Sequence, residues 1–267
     1  MITKRRVSLD GVQLDEIDDR IIIQGVEPQA GKDTINTVSQ WGSDGSRVTG
    51  RHRDSLDINV RFALDMKRNV YDERSEVFEA IAGWAMGGGW LRTSTKPDRR
   101  IRVICAQLPA EGDPLAWTSE YTITFRAYGV PYWQQDGAGQ LRLQNVSSVN
   151  TVFGVAGNVE SVLEVTFENR SGGTINDWKI EAGNSKIVLA QLGLANKETL
   201  VIDHHDNGRR SVIRIRIKNT SGSHRSVLEK RTAASSNDLQ VSPGDNTVKM
   251  TSGGAGDLLI SCHGRFA

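Results

Sequence analysis

Alternation of apolar and polar residues is the clearest signal in the first half of the chain. Between 56 and 64 every second residue is apolar, which is the period of a strand with one face buried. Turn residues separate this segment from other apolar runs, so that several strands are indicated. The further strands predicted in this half lie at 21–23, 90–94, 101–108 and 121–127.

One helix is predicted, over 75–86. Apolar residues fall at helical spacing there, and Gly87-Gly88-Gly89 follows as a stop signal. These glycines come after a helix instead of opening one, which is the wrong arrangement for cradling a phosphate. From residue 56 onward the first half therefore reads as a strand, a helix and three strands, with the short strand at 21–23 upstream. The apolar positions of the predicted helix are Val77, Phe78, Ile81, Trp84 and Ala85.

The segment 25–54 is polar and dotted with glycine. Its larger apolar residues are Val26, Ile35, Val38, Trp41 and Val48, too few and too scattered to give a period. We expect a long loop here, held by those five side chains. A loop of this length in a compact domain usually serves a function or contacts a neighbour.

Candidate contacts between subunits lie in the same segment. Trp41 is the best candidate for an exposed apolar anchor, and Arg47, Arg51 and Arg53 form a basic run around His52. A second group of arginines at 99–102 is expected at a hairpin. An ordinary solvated surface explains the same charges, so both interpretations stay open.

The second half predicts a separate all-β domain. Alternation stops and turn residues dominate at 129–140, so we place domains at 1–134 and 135–267. Many short strands with no helix between them are typical of a β-sandwich or jelly roll. The strands predicted here lie at 159–167, 178–181, 186–189, 199–203, 211–218, 247–251 and 258–262.

Composition narrows the functional classes. Among 267 residues, 33 Lys and Arg against 32 Asp and Glu give a net charge of +1, so no charge excess points to nucleic acid or an anionic membrane. No apolar run reaches the roughly 20 residues of a membrane span, and we expect a soluble protein made without Sec export. Cys105 and Cys262 are expected to be buried free thiols.

Candidate chemistry is sparse. The segment Asp203-His204-His205-Asp206 carries metal-binding residue types, but adjacent residues of a strand point to opposite faces. We therefore interpret it as a polar hairpin turn. The sequence contains no motif of a nucleotide-binding, metalloprotease or serine-hydrolase site, and no carboxylate pair stands out for a glycan hydrolase. We predict no enzyme activity, no cofactor and no metal.

The order of elements in the first half resembles a known family. The strand at 56–64 and the helix at 75–86 are followed by Gly89-Trp90-Leu91, by a hairpin and then by the run at 102–106. The alternating segment 120–128 and the ending Pro131-Tyr132-Trp133 complete the series. This series resembles the N-terminal domain of the distal tail proteins of bacteriophages with long noncontractile tails.

Segments of the second half resemble the galectin-like C-terminal domain of the same family. They lie at 173–180, 200–203 and 242–248, so the resemblance covers essentially the whole chain. It implies a mostly β fold with an α+β N-terminal domain, in which one helix packs on a β-barrel-like sheet. The C-terminal domain is then a galectin-like β-sandwich or jelly roll.

The resemblance also implies a function. Distal tail proteins form hexameric rings that join the tail tube to the tail tip or baseplate hub and leave a channel for DNA. The implied partners are further copies of this chain, the tail tube protein, a tail hub or tail-associated protein, and the tape measure protein. DNA passes without specific binding, no membrane is involved, and the protein belongs to the virion after assembly in the host cytoplasm. The alternative is a carbohydrate-binding or host-receptor-binding module.

Overall fold

A computed structural model describes residues 5–29, 31–39, 46–65, 71–109, 120–206 and 211–267. The chain is mostly β, as predicted, with two antiparallel sheets of which one curls into a half-barrel. It divides into two compact units, Met1–Trp133 and Gln134–Ala267. Whether these units fold independently, as the domains 1–134 and 135–267 would, stays a prediction.

The first unit is an antiparallel sheet with a helix on one face. Its strands run in the order β2-β1-β6-β7-β8-β5-β3, and β4 pairs with β5. The elements are β1 (Val7–Leu9), β2 (Val12–Gln13), α1 (Leu14–Ile17), β3 (Ile21–Pro28), β4 (Lys32–Ser39), β5 (Ser46–Leu64), α2 (Tyr71–Met86), β6 (Gly89–Thr93), β7 (Lys96–Gln107) and β8 (Glu120–Ala127). Strand β9 (Trp133–Gln135) begins at the last residue of this unit.

Helix α2 is the helix predicted at 75–86. Phe78 packs edge-on against Tyr121 of β8, with ring centroids 4.8 Å apart, and Trp84 meets Phe125 in the same way at 5.8 Å. The helix ends at Met86, as expected from the glycines that follow. Gly88 has φ +60°, and a Cβ there would lie 2.6 Å from the Val103 carbonyl oxygen, so glycine suits this position.

The expectation of a loop over 25–54 is wrong. Strand β3 continues to Pro28, and β4 pairs antiparallel with residues 46–55 of β5. The missing signal is burial: most described side chains of this hairpin are exposed, so no buried face imposes alternation on the sequence.

The second unit is a sheet that folds over on itself. Its strands follow the order β13-β12-β18-β11-β14-β15-β16, with β10 beside β18 and β17 beside β11. The elements are β10 (Gly139–Val155), β11 (Ser161–Asn169), β12 (Trp178–Ala182), β13 (Ser185–Leu189), β14 (Thr199–Asp206), β15 (Ser211–Lys218), β16 (His224–Ser226), the 3-10 helix η1 (Leu228–Lys230), β17 (Gln240–Val241), β18 (Gly244–Cys262) and β19 (Arg265–Phe266).

Strand β18 belongs to both layers of this unit. Residues 248–252 pair with β12, whereas 256–262 pair with β11, and β10 accompanies both stretches with a register shift between them. The sequence predicted two strands, at 247–251 and 258–262, and the structure joins them through Gly253, Gly254 and Gly256. The ring centroids of Phe167 and Trp178, on β11 and β12, lie 6.1 Å apart, so the two layers meet across one core.

Strand β10 was not predicted. Its pattern is mostly exposed, with Val149, Phe153 and Val155 as its buried residues. The turn residues at 129–140 obscured its beginning, and its polar outer row weakened the alternation on which a strand prediction depends.

Replacing Gly256 with alanine should destabilise the second unit. A Cβ at this position would lie 2.3 Å from the Glu168 carbonyl oxygen and 2.5 Å from the Phe167 ring, so strand or ring must move. We expect the free energy of unfolding to fall by about 1–3 kcal/mol, measured by urea denaturation. Gly173→Ala is the matched control, because a Cβ at Gly173 would meet no atom within 4 Å; equal losses in both variants would contradict the packing argument.

The second domain should fold without the first. Its hydrophobic core is built from residues between Val149 and Cys262, so the fragment 135–267 contains a complete core. We expect native-like circular dichroism and one cooperative unfolding transition for this fragment. A gradual, non-cooperative transition would show that the boundary predicted at 134/135 does not separate folding units.

Candidate assembly surface

The hairpin of β4 with residues 46–55 of β5 is a two-stranded ribbon, called the β4–β5 ribbon below. Beyond Ser55, β5 lies between β3 and β8 in the sheet. Within the described ranges, the ribbon residues of the two strands pair only with each other. An isolated two-stranded hairpin is marginally stable in water, so this ribbon is a segment that gains from a partner.

Three β-branched side chains of the ribbon are more than half exposed. Ile35, Val38 and Val48 have exposed fractions of 55%, 56% and 58%. Val38 is paired with Arg47, and Val48 is paired with Thr37, the residue next to Val38 on β4. Because successive residues of a strand point to opposite faces, Val38 and Val48 lie on opposite faces of the ribbon. The sequence interpretation of these three residues as inward anchors is wrong, because they face solvent.

Polar contacts fasten the base of the ribbon. The Arg53 Nε donates to Asp33 Oδ1 at 3.0 Å, and the Arg53 guanidinium lies 5.3 Å from the centre of the Tyr132 ring. The Thr34 hydroxyl also donates to the Asp54 carboxylate. The base of the ribbon is therefore fixed by contacts within the same chain. The exposed apolar residues Ile35, Val38 and Val48 lie beyond it.

The four predicted contact residues, Trp41, Arg47, Arg51 and Arg53, are not equally well placed for contact with another subunit. Trp41 lies outside the described residues. Arg47 is exposed on β5, and Arg51 is in register with Ile35. The Arg53 side chain is only 19% exposed and is engaged by Asp33. Arg47 is consequently better placed than Arg53 for an external contact.

A second set of arginines lies on the sheet. The group expected at a hairpin lies within strand β7. Arg100 stacks on Trp90 with its guanidinium carbon 4.2 Å from the ring centre, and Arg102 lies 5.6 Å from the ring of Tyr128. Such stacking fixes the orientation of the two guanidinium groups; the surface that carries them is called the arginine face below.

An ion pair borders this arginine face. Arg126 Nε and Nη2 donate to the two carboxylate oxygens of Asp57 at 2.7 and 2.8 Å. This bidentate contact lowers the pKa of Asp57 and raises that of Arg126. The pair lies next to the arginine face, with Arg126 on β8 and Asp57 on β5.

The histidines do not form the predicted hairpin turn. His204 and His205 lie within strand β14, in register with Ile213 and Val212. The His204 side chain is 5% exposed and its Nε2 lies 3.4 Å from Asp238 Oδ1; this contact lowers the pKa of Asp238. Among the described residues no group of three potential ligands is arranged to hold a metal ion.

A groove of about 580 Å³ crosses the outer face of the second unit. The residues that line it include Thr166, Glu168, Val201, Lys218 and Leu259. The described residues that line the groove include no Phe, Tyr or Trp ring that could stack on a sugar. A carbohydrate-binding role therefore stays a prediction without a platform to support it.

Comparison with solved structures identifies the fold. The structure of SPP1 Dit, described as a paradigm of the hub adsorption apparatus in phages that infect Gram-positive hosts, is similar over 99% of this chain and 100% of that chain, with a TM-score of 0.68 and 14% identity. Chains of the phage P2 baseplate in its activated conformation, with Ca and with Sr, have TM-scores of 0.51 and 0.50 at 10% identity. They match over 98% and 97% of this chain and the same shares of their own lengths.

Sequence comparisons give no further relative. No protein-family profile matches the chain, and no curated protein does. At 14% identity the likeness establishes a shared fold, and the resemblance to distal tail proteins is confirmed at that level. Within the described residues, no helix combines the length and apolar character needed to span a membrane.

The Asp57–Arg126 pair should give a small, pH-dependent stabilisation. Because the folded pKa of Asp57 lies below its ordinary value of 3.8, the contribution is complete above the unfolded pKa and disappears as pH falls through the folded pKa. At pH 7, Asp57→Asn should lower the free energy of unfolding by roughly 0.2–1 kcal/mol, since both side chains are partly exposed.

Denaturation of Asp57→Asn and the parent at pH 7 and at acid pH tests this expectation. The difference between them should vanish at the lower pH. The exposed Asp177 supplies the control substitution, Asp177→Asn. A loss for Asp57→Asn that persists unchanged in acid would show that the ion pair is not its cause.

Proposed function

We propose that this chain is a structural subunit of a bacteriophage tail tip and works as a distal tail protein. Copies assemble into a hexameric ring that joins the tail tube to the tail tip or baseplate hub and encloses a channel for DNA. The observation that carries the proposal is the likeness to SPP1 Dit along the whole length of both chains. Likeness to phage P2 baseplate chains supports the same setting.

The proposed partners follow from that position. One face of the ring meets the tail tube protein, and the other meets a tail hub or tail-associated protein and the tape measure protein. The site of action is the virion, after assembly in the host cytoplasm. A net charge of +1 suits a wall along which DNA passes without specific binding. This role needs no catalytic centre.

The β4–β5 ribbon is the proposed contact between neighbouring subunits. A ring of identical subunits requires a head-to-tail interface, in which one surface meets a different surface of the next copy. The ribbon supplies strand edges that no other described strand pairs with, and the exposed side chains Ile35, Val38 and Val48. Covering them with a neighbour removes apolar surface from water and gives the ribbon strands new partners.

The test is the mass of the assembled protein and its dependence on Val48. Light scattering across concentration, with negative-stain imaging of the same samples, should reveal rings of six subunits. Val48→Asp should weaken each contact by about tenfold or more, because burial of a valine contributes roughly 1.5 kcal/mol or more. The ring population should collapse accordingly.

Leu228→Asp is the matched control, since Leu228 is an exposed apolar residue of the second unit, 41% accessible. It should leave the rings intact. Rings that survive Val48→Asp would remove the ribbon from the interface, whereas a parent protein that stays monomeric even when mixed with tail tubes would overturn the ring itself.

A further inference from the structure

Strand β10 leaves one edge of the second unit open. It pairs with β18 along its length, and no strand among the described residues pairs with its other side. From Ser148 to Val155 the register with β18 is unbroken. This stretch is called the β10 edge below.

Two other edges of the same sheet are protected. Strand β13 is covered by the segment 230–236, whose backbone accepts from Ala190 N at 3.1 Å and donates from Thr232 N to the Val188 carbonyl at 3.0 Å. Strand β16 is only three residues long and includes His224 and Arg225. Covering an edge, shortening it and charging it are the usual ways in which proteins prevent unwanted strand pairing.

The β10 edge has none of these protections. Its eight residues, Ser148 to Val155, include no charge and no proline. The register shift and Arg142, which would discourage pairing, both lie in the earlier part of β10. The outward residues are Ser148, Asn150, Val152 and Gly154, and Val152 is 59% exposed.

The β10 edge is also held in an extended form ready for pairing. Its inward residues Val149, Phe153 and Val155 are 8%, 5% and 5% exposed and belong to the core of the unit. Their packing fixes the strand before any partner arrives, so pairing does not have to order it. An extended, ordered and uncharged edge is suited to receiving another strand.

We propose that the β10 edge pairs antiparallel with the β10 edge of a second copy of this chain, about a two-fold axis. A two-fold contact requires only one patch that is complementary to itself. Antiparallel pairing of 148–155 with itself opposes only small polar or apolar side chains, so no like charges meet. A charged edge would be repelled by its own copy, and this segment lacks any such charge.

This contact is separate from the head-to-tail ring contact of the β4–β5 ribbon. It joins the second units of two copies and adds a dimeric interaction to the proposed function. It is therefore tested in the full chain that carries Val48→Asp, where ring contacts are weakened, as well as in the parent. If no ring forms, the two-fold contact can still be measured. If the two-fold contact is absent, ring formation can still be measured.

The experiment places single cysteines at Ser148, Asn150 and Val152 in turn, with Cys105→Ser to remove the half-buried thiol. Cys262 stays, because it is 3% exposed and burial raises its pKa to about 11. A disulfide between copies requires Cα atoms within about 7 Å, so antiparallel self-pairing should give a linked dimer that is strongest at the position nearest the axis. Non-reducing gels after mild oxidation measure it.

Thr166→Cys is the matched control, because Thr166 is an outward residue of β11, which has a strand on each side. It should give no linked dimer. Adding Val152→Lys to the stronger of the Ser148→Cys and Asn150→Cys variants should abolish the link by placing two cations in the paired region, while Thr166→Lys should not. Sedimentation of Val152→Lys without cysteines should show the same loss of dimer.

Three results would overturn the proposal. The first is no linked dimer at any of the three positions, and the second is equal linking at Thr166. The third is a link from the β10 edge to a different segment, such as the β4–β5 ribbon, identified by peptide mass. That outcome would assign the edge to another strand.

Discussion

Backbone N–H and C=O groups need hydrogen-bond partners, and in a mostly β chain this requirement governs every strand that lies at the side of a sheet. Interior strands have a partner strand on each side. Strand β5 lies between β3 and β8, and β18 has β10 on one side and β11 and β12 on the other. The segment 230–236 meets the requirement for β13. The β4–β5 ribbon and the β10 edge are two of the described places where no partner strand meets this requirement, so that water or another molecule must.

Glycine makes the folded-over sheet of the second unit possible. Around Gly254 and Gly256, β18 passes from one layer to the other, close against Ser171 and Glu168. A single strand thereby anchors both layers, and Phe167 and Trp178 fill the space between them. The outer faces are consequently free to be polar, which is why the groove there has Thr166 and Glu168 on its surface.

The sequence revealed those elements that have one buried face. Leu56 to Leu64 and helix α2 could be predicted because the core imposes period 2 or helical spacing on them. The β4–β5 ribbon could not, since its exposed apolar side chains impose no period. Its segment was identified as a contact region, yet the pairing of Arg53 with Asp33, 20 positions apart, is set by strand register. The likeness to the distal tail proteins could be seen from the order of elements. The β10 edge could be identified only in the structure, because it depends on which described strands lie beside β10.

The pairing of β10 with β18 has a consequence for biosynthesis. Val155 is paired with Gly244, so the ribosome makes β10 about a hundred residues before its partner, a delay of roughly 5–20 seconds at ordinary translation rates. During that interval the uncharged stretch 148–155 has no partner strand on either side in the nascent chain, while closing so long a loop is itself slow. The same strand is thus a point at which newly made copies are exposed to misassembly.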